Sequence, residues 1–180
     1  MKTKELIDIV FRYLLILLLA IGNLAIFYLI FTPLTVYPVF WLLKIFYTIS
    51  INGNILSIAI NNTYIGIELI KACIAGAAYF LLLALNLITR NIKLKARVLS
   101  ILFTFAVFLF LNVIRIFILS ILYVKDFAYF DIVHSFFWNF LSIVFVIAIW
   151  FFSVRIFKIK AIPAYSDIRF IYKSTNRKRK

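Results

Sequence analysis

The chain holds one cysteine and one histidine, Cys73 and His134, and each stands near an end of a long apolar stretch. Arg115 stands inside a third such stretch, in the run Phe110-Leu111-Asn112-Val113-Ile114-Arg115-Ile116-Phe117. A thiol, an imidazole and a guanidinium brought to one water–lipid boundary supply the nucleophile, base and oxyanion stabiliser of cysteine acyl transfer. Taken singly, each has a plainer reading. A lone cysteine in a membrane helix is most often a small hydrophobe, and an interfacial histidine is most often a headgroup contact. An intramembrane arginine costs several kcal/mol (about 2.5–3.5 on insertion scales) unless it is paired, hydrated or able to snorkel, so it marks either a structural pair or a site. Asn112 lies on the same helical face one turn before Arg115 and can hydrogen-bond the guanidinium or a substrate amide. His134 supplies an imidazole, the side-chain type best suited to general acid–base work, and Asp131, three residues earlier, is placed to orient the ring. Glu68 and Lys71 read as markers of a helix end.

Bringing those residues together requires a membrane. With 66% hydrophobic residues, 14% charged residues and a mean hydropathy of +1.11, the chain cannot bury its apolar surface as a soluble domain. Three Pro and four Gly leave little room for flexible linkers, so residues 1–180 read as a single integral membrane domain. One cysteine leaves no intrachain disulfide and no cysteine-based metal site, and neither metal nor cofactor is expected. The net charge of +14 lies in short juxtamembrane runs, a distribution that sets topology and touches anionic lipid rather than nucleic acid. The apolar run after Arg12 is too long for a cleaved leader and has no small-x-small cleavage site, so it reads as a retained anchor.

Four stretches are long enough to span a bilayer, for which about 20 apolar residues suffice. They run from about 13 to 31, 68 to 89, 98 to 124 and 134 to 154. The fold class is therefore an all-α membrane protein of about four transmembrane helices. Pro38 to Ser50, short and carrying Lys44, reads as an interfacial helix. Ile55–Ile60 and Thr63–Ile67 flank Asn61-Asn62 and predict a small β-hairpin entering the second span. Asn61-Asn62-Thr63 also matches a glycosylation sequon, a motif common by chance.

Lys and Arg residues orient the spans. Sixteen fall on the N-terminal flank, the Arg90–Arg97 loop and the basic tail 155–180, against two, Lys44 and Lys125, on the other side. Both termini are then cytoplasmic and the hairpin is outside. Cys73, five residues or about 7 Å past Glu68, falls in the outer half of its helix. Arg115, about 15 Å of helix before Lys125, and His134 fall in the outer halves of theirs. The counting made no use of these three residues, yet it brings them to one side.

Ala72-Cys73 early in one span, Asn112-Val113-Ile114-Arg115-Ile116 in the next and His134 opening the one after resemble the exosortase/archaeosortase family of multi-pass membrane transpeptidases. The resemblance covers about residues 55–150 of a compact form. Ala75 stands where the family commonly has Gly, with Gly76 following, and Trp138 replaces a Gly often found one turn after the histidine. The resemblance implies a thiol protease and transpeptidase of protein sorting in the cell membrane. Cys73, Arg115 and His134 would be catalytic and Asn112 substrate-binding, with the site at the outer face. It implies as partners exported proteins that end in a short motif, a transmembrane helix and a basic segment. The alternative from another class is a non-enzymatic small membrane subunit or assembly factor in which Arg115 is an interhelical pairing residue. A transporter is disfavoured by the absence of a repeat and by few Pro or Gly breaks.

Overall fold

A computed structural model of the chain describes residues 2–22, 24–60, 63–89 and 92–159. It contains α1 (Lys2–Ile21), α2 (Ala25–Lys44), β1 (Thr48–Asn52), β2 (Ile55–Ile60) and β3 (Thr63–Glu68). These are followed by α3 (Lys71–Ile74), α4 (Gly76–Ile88), α5 (Leu94–Val124), α6 (Phe130–Phe136), a π-helical turn (Phe137–Leu141) and α7 (Ser142–Ile156). Among the described residues, four helical segments are long and apolar enough to cross a membrane: Ala25–Lys44, Lys71–Ile88, Leu94–Val124 and Phe130–Ile156. The Asn61-Asn62 turn with its sequon, Arg90 and the tail from Lys160 onward lie outside the described residues.

The last three segments fall where the apolar runs predict them. The first does not. The run expected to span from about 13 to 31 is broken at Gly22–Leu24, where Leu24 adopts a left-handed φ of 56°. The span-length helix is α2, which continues through Pro33 and Pro38 to Lys44. Each proline leaves the carbonyl four residues earlier without its helical donor. Membrane helices tolerate this because neighbouring elements and local adjustments re-satisfy the backbone. The expected interfacial helix over 38–50 is accordingly not a separate element: its first half completes α2 and its end opens β1.

The sheet has three antiparallel strands in the order β1-β2-β3, one more than the hairpin read from the sequence. Gly53, at φ 62°, makes the tight β1–β2 turn, so that Asn52 pairs with Ile55. Leu56 and Ile58 of β2 are fully buried, which fixes the face that packs on the helices.

Helices α4, α5 and α7 run antiparallel in turn. At one end, Ser100 of α5 donates to Asn86 Oδ1 at 2.6 Å and lies 2.8 Å from Ser153 Oγ of α7. Arg12 of α1 donates to the Leu87 carbonyl at 2.9 Å and Arg97 to that of Thr89 at 3.0 Å, satisfying backbone acceptors at the end of α4. Midway, the buried Tyr79 ring stacks on Phe31 at 3.5 Å and meets Phe105 and Phe108 edge-on at 5.5 and 4.8 Å. Gly76 permits the close approach of α2: a Cβ there would lie 2.8 Å from the Tyr28 ring. The opposite end carries the sheet, Cys73 and Arg115.

Candidate active site

Cys73 sits in a helix that stops one residue later. The α3 turn ends at Ile74, Ala75 takes the left-handed conformation at φ 58°, and α4 restarts at Gly76. A carbonyl at this position of a regular helix would accept from the backbone four residues on. The break releases the Cys73 carbonyl, and two side chains of α5 take it up. Asn112 Nδ2 donates to it at 3.0 Å and Arg115 Nη2 at 3.3 Å. The Asn-x-x-Arg spacing is what lets both donors reach one acceptor, since residues three apart share a helical face.

Left-handed backbone costs a non-glycine residue about 1–2 kcal/mol. Ala75 holds it at φ 58°. Ala75→Gly is therefore expected to stabilise the protein by about 1 kcal/mol, somewhat offset by glycine's larger unfolded-state entropy. A thermal melt in detergent checks this, and an unchanged or lower midpoint would remove the strain.

Arg115 is buried, at 5% exposure, and held from two sides. Besides the Cys73 carbonyl, its Nη1 donates to Ser142 Oγ of α7 at 2.6 Å, and Ser142 Oγ in turn donates to the Phe137 carbonyl at 3.2 Å. Two of the five N–H groups of the guanidinium are thus fixed, while Nε is buried without a partner. Asn112 Oδ1 is likewise buried without a partner.

Cys73, Arg115 and His134 line one cavity of about 250 Å³, with Gly66 and Glu68 of β3 and Trp138 of the π-helical turn on its walls. The thiol is half-buried and free. The His134 ring stacks on Phe130 at 5.5 Å between centroids and 9° between planes. Among the described residues no hydrogen bond joins His134 to Cys73 or to Asp131. Asp131 lies exposed on the first turn of α6, so the proposed orienting contact is not made. Lys71 turns away from the cavity, its ammonium 5.6 Å from the Tyr28 ring centroid. Catalytic hydrogen bonds are commonly long in a ligand-free site and tighten when substrate fills it.

Ser142 is a contact of Arg115 that the sequence did not announce. Eight residues at about 100° each would set it about 80° from His134 around a regular helix. The π-helical turn inserts one extra residue between them and brings both toward α5. A serine opening an otherwise apolar run was the available signal.

Compared with protein-family models, with curated proteins and with solved structures, the chain matches none.

Proposed function

We propose that this protein is a membrane-embedded cysteine protease and transpeptidase of exosortase/archaeosortase type, cleaving C-terminal sorting signals of exported proteins. The observation that carries the reading is the single cavity lined by the only cysteine, the only histidine and the buried arginine, each from a different helical element. In this mechanism His134 takes the thiol proton and Cys73 Sγ attacks the scissile carbonyl. Unengaged N–H groups of Arg115 stabilise the oxyanion. Collapse expels the leaving amine, which takes the proton back from His134, and leaves a Cys73 thioester. An amine or other nucleophile then attacks the thioester, releasing the thiol and moving the exported protein to a new anchor. Asn112 and Ser142 hold the cysteine segment and the guanidinium in place.

The reading includes a cell-membrane location with both termini and the Arg90–Arg97 loop cytoplasmic and the cavity facing out. Its support is that Arg12 and Arg97 cluster at the end of the bundle far from the cavity, as an excess of basic residues inside requires. Reporter fusions at the Arg90–Arg97 loop are expected to report the cytoplasm. An external signal there would invert the site and sink the sorting chemistry.

One observation favours a second reading, a non-enzymatic membrane subunit. Arg115 and Asn112 already serve a structural acceptor, the Cys73 carbonyl at the helix break. The experiment that separates the two is co-expression with an exported protein ending in a short motif, an apolar helix and a basic segment, comparing its processing by the parent and by Cys73→Ala.

A further inference from the structure

The free edge of β3 runs into the cavity. Opposed residues in an antiparallel ladder alternate between pairs that exchange hydrogen bonds and pairs that do not. Just beyond β3, Leu69 N donates to Asn54 O at 2.9 Å, which fixes the phase. Ile67, Ile65 and Thr63 therefore turn their N–H and C=O groups toward β2, opposite Leu56, Ile58 and Ile60. Tyr64, Gly66 and Glu68 turn theirs outward. No further strand pairs with that edge among the described residues.

Two of these outward-facing residues, Gly66 and Glu68, also line the cavity that holds Cys73. Gly66 has no side chain, so it is main chain that it presents there. A Cβ at Gly66 would meet nothing within 4 Å, so the strand is also open on the face toward which that Cβ would point. The cavity itself, at about 250 Å³, is smaller than the roughly 300–1,000 Å³ pockets that enclose whole small ligands. It takes the reacting bond and its immediate neighbours, and the rest of a polypeptide must be held elsewhere.

We propose that the substrate binds by strand addition: an extended peptide segment pairs with the outward N–H and C=O groups of Gly66 and Glu68, which lays its next bonds over Cys73. The occupant is a polypeptide in extended form, because the groups offered are alternate main-chain donors and acceptors, which only another strand satisfies in series. This rests on the acyl-transfer reading for the chemistry but not for the pairing. Affinity comes from the main chain, and discrimination comes from what the cavity walls accept.

The test uses the full chain in detergent and peptidyl chloromethyl ketones that alkylate Sγ with release of chloride. One probe carries a single alanine, one carries five, and one carries five with alternate amides N-methylated. The five-alanine probe is expected to label Cys73 about tenfold faster than the single-alanine probe, the worth of one or two hydrogen bonds. N-methylation should remove that advantage. Gly66→Pro deletes an outward N–H without touching the inner ladder, so in this variant the ratio of the five-alanine rate to the single-alanine rate should fall toward one, whatever happens to either rate alone. An advantage that survives both changes overturns the proposal, and the methylated probe decides even where the proline variant does not fold.

If Cys73 reacts with no electrophile, the thiol chemistry fails while the pairing stays testable. In a Cys73→Ala, Tyr64→Cys chain, alanine peptides with one cysteine moved along them, supplied as its 2-pyridyl disulfide, should exchange with the thiol at position 64, releasing 2-thiopyridone, at alternate positions only. A flat profile, or no capture, overturns the pairing.

Discussion

Cys73→Ser is expected to abolish substrate processing while the amount of protein in the membrane stays at the parent level. Removing an activated nucleophile costs on the order of 10⁶ in kcat where it has been dissected. Serine is nearly isosteric, yet its hydroxyl is a poor nucleophile at neutral pH without a base built to activate it. The fold should not notice the exchange, because what ties residue 73 to α5 is its main-chain carbonyl, held by Asn112 and Arg115. Both ties are indifferent to whether the side chain ends in sulfur or oxygen. Cys73→Ala keeps them as well and is a second, smaller probe of the same point. The measurement is the fraction of co-expressed substrate cleaved, read beside the steady-state level of each variant. Normal cleavage by the serine variant would eliminate the thiol mechanism. A fall in protein level to match the fall in cleavage would instead favour a packing role for the cysteine.

The convergence of Cys73, Arg115 and His134 was legible in the sequence because charge counting and apolar length fix which helix ends share a side. Both are sums over many residues and survive local irregularities. The irregularities themselves were not legible, and they set the site's geometry. Alanine is the best helix former, so nothing at Ala75 announces that the helix stops there and frees the carbonyl that Arg115 and Asn112 take up. The π-helical turn at Phe137–Leu141 lies in an apolar run with no breaker, so the facing of Ser142 could not be read from a regular period. At α2 the opposite error arises. Pro33 and Pro38 suggest an end, but packing carries the helix through both, while the real break falls at Gly22–Leu24. Strand β1 carried a usable signal: Gly53-Asn54 between alternating residues is a two-residue hairpin marker with Gly at the first central position, and Gly53 takes the positive φ such a turn needs. It was masked by the interfacial-helix reading of the segment just before it.

Arg115→Lys separates catalysis from scaffolding. Lysine keeps the charge but has no planar fork of donors, and the two are not interchangeable where geometry is defined. Here the guanidinium bridges two fixed acceptors on different elements, the Cys73 carbonyl and Ser142 Oγ, and the residue also lines the cavity. A lysine ammonium has the donors but not the fixed spread to hold both acceptors and still face the cavity. If Arg115 stabilises the oxyanion, the lysine variant should reach near-parent levels and lose about 10²–10³-fold in rate, the cost of one oxyanion-hole donor. Arg115→Ala should lose at least as much activity. It should cost less in stability than a broken buried ion pair, because Asn112 still satisfies the Cys73 carbonyl and Ser142 keeps its bond to Phe137. A purely structural arginine gives the reverse pattern: lysine largely substitutes, and alanine lowers abundance together with cleavage. The paired measurement is therefore protein level and cleavage rate for both variants. Full cleavage by Arg115→Lys would take Arg115 out of the catalytic set and leave the substrate oxyanion, formed when Cys73 adds to the scissile carbonyl, to be stabilised by some other donor at the helix break.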